Sequence, residues 1–209
     1  SDVSELHVSI DGCDKGVYEN IRRGGNFEKV CNNCKLLNDY AKSVGKDRTR
    51  MWAVIQRENY HQIEEFPVLA AELGFSRLTL SLDLTDWGQD SWTEITSKID
   101  THNQMTAELA QRIIDAGSEL GVEVTFWYID EKYEFGSKKK LCPWPFERGF
   151  VSSEMRAVPC CMIANPEISD IGDATDFVKT WNGPKMKAFR KTHLSGNVHS
   201  FCKTCYKNS

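Results

Sequence analysis

The sequence predicts an α/β protein with a parallel sheet, followed by a small cysteine-rich region. Short β-type runs alternate with helical patterns through the first part of the chain, which is typical of βαβ units. Five of the eight cysteines lie after Leu141. Because the pattern changes at the GSKKK run (136–140), we predict two domains, residues 1–135 and residues 136–209.

Four runs rich in aliphatic and β-branched residues predict the strands. They are LHVSI, MWAVI, RLTLSLDL and VEVTFWYI, at residues 6–10, 51–55, 77–84 and 122–129. Helical patterns connect these runs, and a crossover through a helix joins strands that run in the same direction. The four strands are therefore predicted to form one parallel sheet.

Helical spacing of apolar side chains predicts the elements between the strands. The three patterns cover residues 27–44, 63–73 and 105–120, and they end at Gly45, Gly74 and Gly121. Pro67 inside the second pattern predicts either a kink or a helix that begins there. The polar segment 86–100, which carries Trp87 and Trp92, is predicted to be a loop over one end of the sheet.

The C-terminal part contains short runs, prolines and cysteines instead of long periodic segments. Two helices are predicted near residues 174–181 and 184–191, and Pro184 suits a first helical position. The lysines at 138–140 are interpreted as a solvated linker.

Polar residues follow the predicted strands at the edge where parallel α/β folds carry their sites. These residues are Ser9, Asp11, Gln56, Asp83 and Asp86. We expect them to lie near a common mouth.

Composition excludes several classes of protein. The 209 residues carry 26 basic and 30 acidic side chains, a net charge of −4, which argues against nucleic-acid binding. No stretch approaches the roughly 18 apolar residues of a membrane span, so no membrane association is expected. No signal peptide, P-loop, G-x-S-x-G or G-x-G-x-x-G motif is present, and the start at Ser1 suggests a processed, tagged or truncated chain. The expected location is the cytoplasm.

The clustered cysteines of the C-terminal part predict a metal site. The candidate ligands are Cys142, Cys160 or Cys161, Cys202 and Cys205, the last two forming a C-x-x-C pair. Tetrahedral zinc and a cubane iron–sulfur cluster both take four thiolates, so the ligand count does not distinguish them. Only one of the two vicinal cysteines is expected to be a ligand, and disulfides or buried thiols are the alternative.

The other cysteines and the histidines give weaker indications. Cys31 and Cys34 also form a C-x-x-C pair, but they lie inside a predicted helix on its apolar face, which favours packing over redox chemistry. The five histidines show no metal-ligand spacing. His199, three residues before Cys202, is an alternative ligand.

Four elements of the C-terminal part, taken in order, resemble the SPASM domain of radical S-adenosylmethionine (SAM) enzymes. They are CPWPF (142–146), VSSEMRAVPCC (151–161), DFVKTWNGPKMKAFR (176–190) and FCKTCY (201–206). The resemblance implies that Cys142, Cys160, Cys202 and Cys205 hold an auxiliary [4Fe–4S] cluster, and it makes Cys160 the better ligand of the vicinal pair. Met155 departs from the family, which usually has glycine in that turn, so the local hairpin geometry is in question.

The first part of the chain resembles the later strands of a radical SAM partial barrel. The matching segments are HVSIDG (7–12) with YENIRRGGNFEKV (18–30), and VIQRENYHQIEEF (54–66). In that family, polar residues at these strand ends contact SAM, so Ser9, Asp11 and Gln56 are the implied SAM contacts. For Ser9 and Asp11 an ordinary strand-end turn is an equal alternative.

The C-x-x-x-C-x-x-C loop that binds the catalytic cluster in that family does not occur in these 209 residues. The resemblance therefore implies an incomplete (βα) partial barrel, the C-terminal half of the family's barrel, followed by a SPASM-like region. The parent enzyme would generate a 5′-deoxyadenosyl radical from SAM to modify a peptide or small molecule. This chain alone is expected to be inactive and to self-associate through its open sheet edge.

Two further functions remain as alternatives. One is a zinc- or cluster-stabilised binding module without catalysis, in which the same four thiolates act only as a structural staple. The other is a disulfide-linked extracellular α/β protein.

Overall fold

A computed structural model describes residues 4–82, 90–127, 133–135, 140–203 and 205–206. The chain divides into two compact units. The first comprises Ser1–Leu84 with Lys98–Tyr128, and the second comprises Thr85–Ser97 with Ile129–Ser209.

The first unit contains a four-stranded parallel sheet, as predicted. Its strands are β1 (Leu6–Ser9), β2 (Thr49–Val54), β3 (Arg77–Ser81) and β4 (Glu123–Trp127). They lie in sequence order, and each pairs in parallel with the next. This confirms the α/β class and the parallel connections that the alternating pattern predicts.

The helices of the first unit are α1 (Lys15–Ile21), α2 (Phe27–Ser43), α3 (Phe66–Glu72) and α5 (Ala107–Glu119). Helix α3 begins at Phe66 with Pro67 in its first turn, so the proline starts the helix and does not kink it. Helix α1 is not among the predicted elements. Asp14 starts it by accepting a hydrogen bond from the backbone N–H of Val17.

The two faces of the sheet differ in chemistry. One face carries buried apolar side chains, among them Ile10, Met51 and Leu80, and it forms one core with buried residues of the helices such as Phe66 and Ile113. On the other face Trp52 stacks on His7 and contacts Trp127, with ring centroids 5.5 and 5.9 Å apart. There the hydroxyls of Thr79 and Thr125 lie 2.8 Å apart.

The predicted loop at 86–100 is wrong where the structure describes it, because Asp90–Ile99 forms helix α4. Its apolar residues Trp92, Ile95 and Ile99 recur at helical spacing, which the polar composition of the segment obscures.

The second unit has short elements around a core of its own. Its helices are α6 (Trp144–Glu147), α7 (Pro166–Ser169), α8 (Phe177–Trp181), α9 (Pro184–Ser195) and α10 (Ser200–Lys203). Three antiparallel strands, β5 (Phe150–Val151), β6 (Arg156–Val158) and β7 (Gly172–Asp173), form its sheet. Ala157 of β6 and Met186 of α9 are fully buried in that core.

Three 3₁₀ turns complete the described chain, at Tyr60–Gln62, His102–Gln104 and Cys161–Ile163. Within the described residues no helix is both long and apolar enough to cross a bilayer.

Candidate metal centre

The four predicted ligands line one pocket of the second unit. The pocket and the open solvent at its mouth together take up about 360 Å³. Its lining comprises Cys142, Trp144, Pro145, Cys160, Met162, Ile163, Phe189, His193, Phe201, Cys202, Cys205 and Tyr206. The structure thus brings together four thiols from three separate segments of the chain, with aromatic and aliphatic side chains around them.

Cys142 is positioned by two tyrosines. Its backbone N–H donates a hydrogen bond to the Oη of Tyr206 at 3.2 Å, and the side chain of Tyr133 packs against the hydrophobic cluster that Cys142 and Tyr206 form. The residue is 8 % exposed and lies just before helix α6. These contacts fix the first thiol at the wall of the pocket.

Cys160 is the member of the vicinal pair that lines the pocket. It follows strand β6 and starts the 3₁₀ turn Cys161–Ile163, where its sulfur accepts a hydrogen bond from the N–H of Met162 at 3.4 Å. Cys161 is not among the described residues of the lining. The choice of Cys160 as the ligand of the pair, which the resemblance implies, stays a prediction.

Cys202 and Cys205 lie at the end of the chain on one tight turn. The N–H of Cys205 donates to the carbonyl of Cys202 at 3.1 Å, and the carbonyl of Cys205 accepts from the N–H of Tyr133 at 3.0 Å. The second bond pairs the C-terminal turn with the segment that precedes Cys142. This bond fixes the turn that carries Cys202 and Cys205 to the chain around Tyr133.

Burial favours the protonated thiols in this pocket. It raises the pKa of Cys202 to about 12 and also raises the pKa of Cys142. The hydrogen bond between the two vicinal thiols raises the pKa of Cys160, which burial raises further, and it lowers the pKa of Cys161. Because thiolates are the metal-binding form, any metal that enters must displace these protons.

The donor set suits a thiolate-bound group. The lining has four sulfur donors and no carboxylate, a set that selects zinc or iron–sulfur and disfavours magnesium or calcium. Among the described residues, no three His, Cys, Asp or Glu side chains stand close enough to hold one metal ion. A cubane cluster takes one thiolate at each of four irons, so its ligands do not need to converge on one point.

The predicted SAM contacts belong to the first unit, where one asparagine ties two of them together. Asn59, fully buried, donates to the carbonyls of Asp11 and Val54, both at 2.9 Å, and accepts from the N–H of Gln56 at 2.8 Å. Ser9 ends strand β1 beside Trp52 of β2. Ser9 is therefore at, and Asp11 and Gln56 are just beyond, the carboxyl ends of neighbouring strands, whereas Asp83 and Asp86 lie outside the described residues.

The carboxylate of Asp11 is already engaged within the fold. One oxygen accepts from the N–H of Val54 at 2.8 Å, and the other accepts from the Nε of Arg22 at 2.6 Å. Asp11 is 4 % exposed, whereas the side chain of Arg22 is 39 % exposed. The arrangement positions a partly exposed guanidinium near the strand ends.

Comparison with known proteins bears on the cysteine pocket. Residues 142–206 match the model of SPASM, which is described as an iron–sulfur cluster-binding domain. Residues 142–206 are therefore similar to this domain, and we refer to them as the SPASM region. The match begins at Cys142 and ends at Tyr206, so it contains all four cysteines of the pocket.

One curated relative is also similar to the chain. It is the mycofactocin maturase MftC of Mycolicibacterium smegmatis, 25 % identical over 105 residues. The aligned stretch is 50 % of this chain and 26 % of the relative. The chain thus spans about a quarter of the length of the relative that it matches.

The pocket of the SPASM region also contains His193, which the sequence analysis does not single out as a site residue. It lies on helix α9, which is predicted to end near residue 191 but continues to Ser195 and is followed by Gly196 in the left-handed conformation. The four-residue spacing from Phe189 to His193 is the only feature of the sequence that places them on one helix face.

The remaining titratable candidates lie outside the SPASM pocket. Cys31 and Cys34 lie within helix α2 against the core of the first unit, and burial raises the pKa of Cys34 to about 11. The ring of His199 stacks on those of Phe189 and Phe201 and is not among the described residues of the lining. All eight cysteines lie in the described part of the chain, where none of them forms a disulfide.

Proposed function

We propose that this chain is the C-terminal part of a radical SAM enzyme, whose SPASM region holds an auxiliary [4Fe–4S] cluster through Cys142, Cys160, Cys202 and Cys205. The observation that carries the proposal is the placement of these four thiols around one pocket within the SPASM match. Four-cysteine ligation is the usual arrangement for such a cluster.

When bound, the cluster would supply a redox centre for electron transfer, or an anchor for the substrate. The residues of this chain would hold the cluster and shield it from water. The thiolates would hold the irons, while Trp144, Phe189 and Phe201, which line the same pocket, would limit access of water to the sulfurs. Tyr206 orients Cys142 by accepting the hydrogen bond of its backbone N–H.

The first unit would contribute the later strands of the partial barrel and the part of the SAM site that follows them. In this proposal Ser9 and Gln56 contact SAM directly. Asp11, whose two carboxylate oxygens are already bonded, contributes by holding Arg22 at the strand ends. The first unit's four-stranded parallel sheet supports this proposal, because parallel α/β folds carry ligands where their strands end.

The whole enzyme would cleave SAM to a 5′-deoxyadenosyl radical and modify a peptide or small molecule. MftC is by its name a maturase of mycofactocin, which is consistent with a modification reaction. The chain has no C-x-x-x-C-x-x-C spacing of its own. We therefore propose that it does not cleave SAM alone.

Two further proposals concern the setting of the chain. Eight described cysteines without a disulfide suit a reducing compartment such as the cytoplasm. In the described sheet, β1 and β4 each have one neighbouring strand, so an outer edge of the sheet would mediate self-association of the isolated chain.

The test is anaerobic reconstitution of the full chain with iron and sulfide, followed by metal and acid-labile sulfide analysis. About four irons and four sulfides per chain are expected. Each of Cys142→Ser, Cys160→Ser, Cys202→Ser and Cys205→Ser should lower that content sharply. Cys161→Ser and Cys34→Ser are matched controls that should retain it.

The other outcomes identify the alternatives. One zinc per chain without sulfide, lost in the same four variants, would replace the redox proposal with a structural zinc module. A chain that takes up neither metal would contradict the proposal. Equal loss in Cys160→Ser and Cys161→Ser would contradict the ligand set.

A further inference from the structure

The Nε2 atom of His193 is a buried polar atom without a hydrogen-bond partner among the described residues. His193 is 3 % exposed, and it lines the same pocket as the four cysteines. Buried polar groups in folded proteins are nearly always paired, so an unpaired one at a pocket wall indicates a missing partner. The proposed function leaves this atom without a role.

A hydrogen-bond chain favours the tautomer of His193 that carries its hydrogen on Nε2. The N–H of Cys142 donates to the Oη of Tyr206 at 3.2 Å, and this Oη lies 2.7 Å from the Nδ1 of His193. Because the hydroxyl accepts from Cys142, its own hydrogen is available for Nδ1. The neutral imidazole then carries its hydrogen on Nε2, and Nε2 is a donor.

The other neutral tautomer is disfavoured by the same contacts. A hydrogen on Nδ1 would point at the Oη of Tyr206, which already accepts from Cys142. The hydroxyl hydrogen of Tyr206 would then lack an acceptor among the described residues. A doubly protonated ring would still carry a hydrogen on Nε2, so the donor role does not depend on the charge of His193.

Packing holds the imidazole in place. The ring of Tyr206 stacks on Phe135 with centroids 4.0 Å apart, and the ring of Phe189 lies 4.9 Å from that of His193. Since Nδ1 faces Tyr206, Nε2 on the other side of the ring faces away from it. The donor is therefore oriented before any ligand arrives.

We propose that the Nε2–H of His193 donates a hydrogen bond to a sulfur atom of the iron–sulfur group held by the four cysteines. The acceptor is a bridging sulfide or a cysteine thiolate. This inference rests on the proposed function. A hydrogen bond to cluster sulfur stabilises the reduced, more negative state, so His193 raises the reduction potential of the cluster. His193 is thus a positioning and tuning residue and not a metal ligand.

The test compares reduction potentials of reconstituted full-length chains by anaerobic redox titration. His193→Phe keeps a ring but removes the donor, and its potential should shift to a more negative value. His193→Gln retains an N–H donor on a side chain of similar reach and should recover part of that shift. His199→Phe replaces a histidine outside the pocket and should leave the potential unchanged.

Measurements on the wild-type chain keep the inference testable if His193→Phe does not fold. Nitrogen NMR of the metal-free chain should show hydrogen on Nε2 of His193, and hydrogen only on Nδ1 would overturn the inference. When the chain is labelled with ¹⁵N-histidine and its cluster is reduced, a weak hyperfine coupling between the cluster and the Nε2 nitrogen of His193 is expected through the hydrogen bond. A coupling of the size found for a direct ligand, or none at all, would also overturn it.

The two proposals fail in different ways. A wild-type chain without iron and sulfide contradicts the cluster itself and this inference with it. Full cluster content in wild type and in His193→Phe, with equal potentials, contradicts only the role of His193.

Discussion

Arg156 and Asp170 form a two-point ion pair in which the Nε and Nη2 atoms of Arg156 lie 2.9 and 2.8 Å from the two carboxylate oxygens of Asp170. The pair joins strand β6 to the residue two positions before strand β7. The Nζ of Lys185, on helix α9, adds a third contact at 3.0 Å. The bond from Arg156 is the main reason that the pKa of Asp170 falls to about 2.

Asp170→Asn should destabilise the SPASM region at neutral pH and much less in acid. A carboxylate whose pKa is depressed on folding stabilises the fold above its unfolded pKa and loses that effect as pH falls through its folded pKa. The contribution is about 1–2 kcal/mol after allowance for partial exposure, and it should fade between about pH 4 and pH 2. Urea titrations across that range measure it, with Glu147→Gln, an exposed carboxylate, as control. An equal difference at every pH would contradict the ion-pair account.

Met155→Gly should stabilise the turn between β5 and β6. Met155 has a φ of +57°, and it is the one described non-glycine residue with positive φ. A side chain in the left-handed region costs about 1–2 kcal/mol, part of which is offset by the greater freedom of glycine in the unfolded chain. A gain of about 0.5–1 kcal/mol in unfolding free energy is expected, because Met155 is 48 % exposed and buries little surface.

Met155→Ala is the matched control for that substitution. It removes the same distal atoms but retains Cβ, so it should give no gain. Equal stabilisation by alanine and glycine would mean that the φ angle is not the cause.

The turn at Met155 also shows how far the sequence predicts the SPASM region. Met155 stands where the family usually has glycine, and this difference puts the hairpin in question. Strands β5 and β6 nevertheless pair, and the N–H of Met155 donates a hydrogen bond to the carbonyl of Ser152 at 3.0 Å. Local propensity is overridden by the pairing of the strands, whose free energy exceeds the cost of one strained residue.

The strands are predictable because each combines a short apolar run with flanking turn residues, and their parallel order follows from the helices between them. Helix α4 and His193 are not predictable in the same way. Two tryptophans in a polar segment suggest a loop, and the last turn of α9 depends on Gly196, beyond the apparent end of the pattern. The chain that links Cys142, Tyr206 and His193 joins positions that are distant in sequence, so no local pattern could show it.

Loading the cysteine pocket should protect the SPASM region from hydrogen exchange before it affects the first unit. Its three cysteine-bearing segments are short, and a bound metal group would cross-link them, so binding free energy becomes folding free energy. Exchange of residues 142–206 should slow on reconstitution and quicken again on chelation, while strands β1 to β4 stay unchanged. Equal protection of both units from exchange, or protection of neither, would contradict a metal group that stabilises only the SPASM region.

Asn59→Asp should unfold the strand ends that carry the proposed SAM contacts. The substitution removes the two N–H donors that reach the carbonyls of Asp11 and Val54 and places a carboxylate beside both oxygens. Two unpaired buried acceptors and an added buried charge should cost about 3 kcal/mol or more. Thermal unfolding measures the loss, and Asn33→Asp on the exposed face of α2 is the control that should change it little.

Gly117→Ala should destabilise the first unit although alanine is the better helix former. A Cβ at Gly117 would overlap the side chain of Val124 and lie 2.8 Å from the carbonyl oxygen of Val122, both where the chain returns from α5 into β4. Overpacking against a strand costs about 1–3 kcal/mol, which exceeds the gain of about 1 kcal/mol from helix propensity. Ser118→Ala, one position along on the exposed side, gains propensity without the clash and should be neutral or stabilising. Urea unfolding of both variants measures the change in unfolding free energy. A Gly117→Ala chain as stable as wild type would mean that α5 can move away from β4 at little cost.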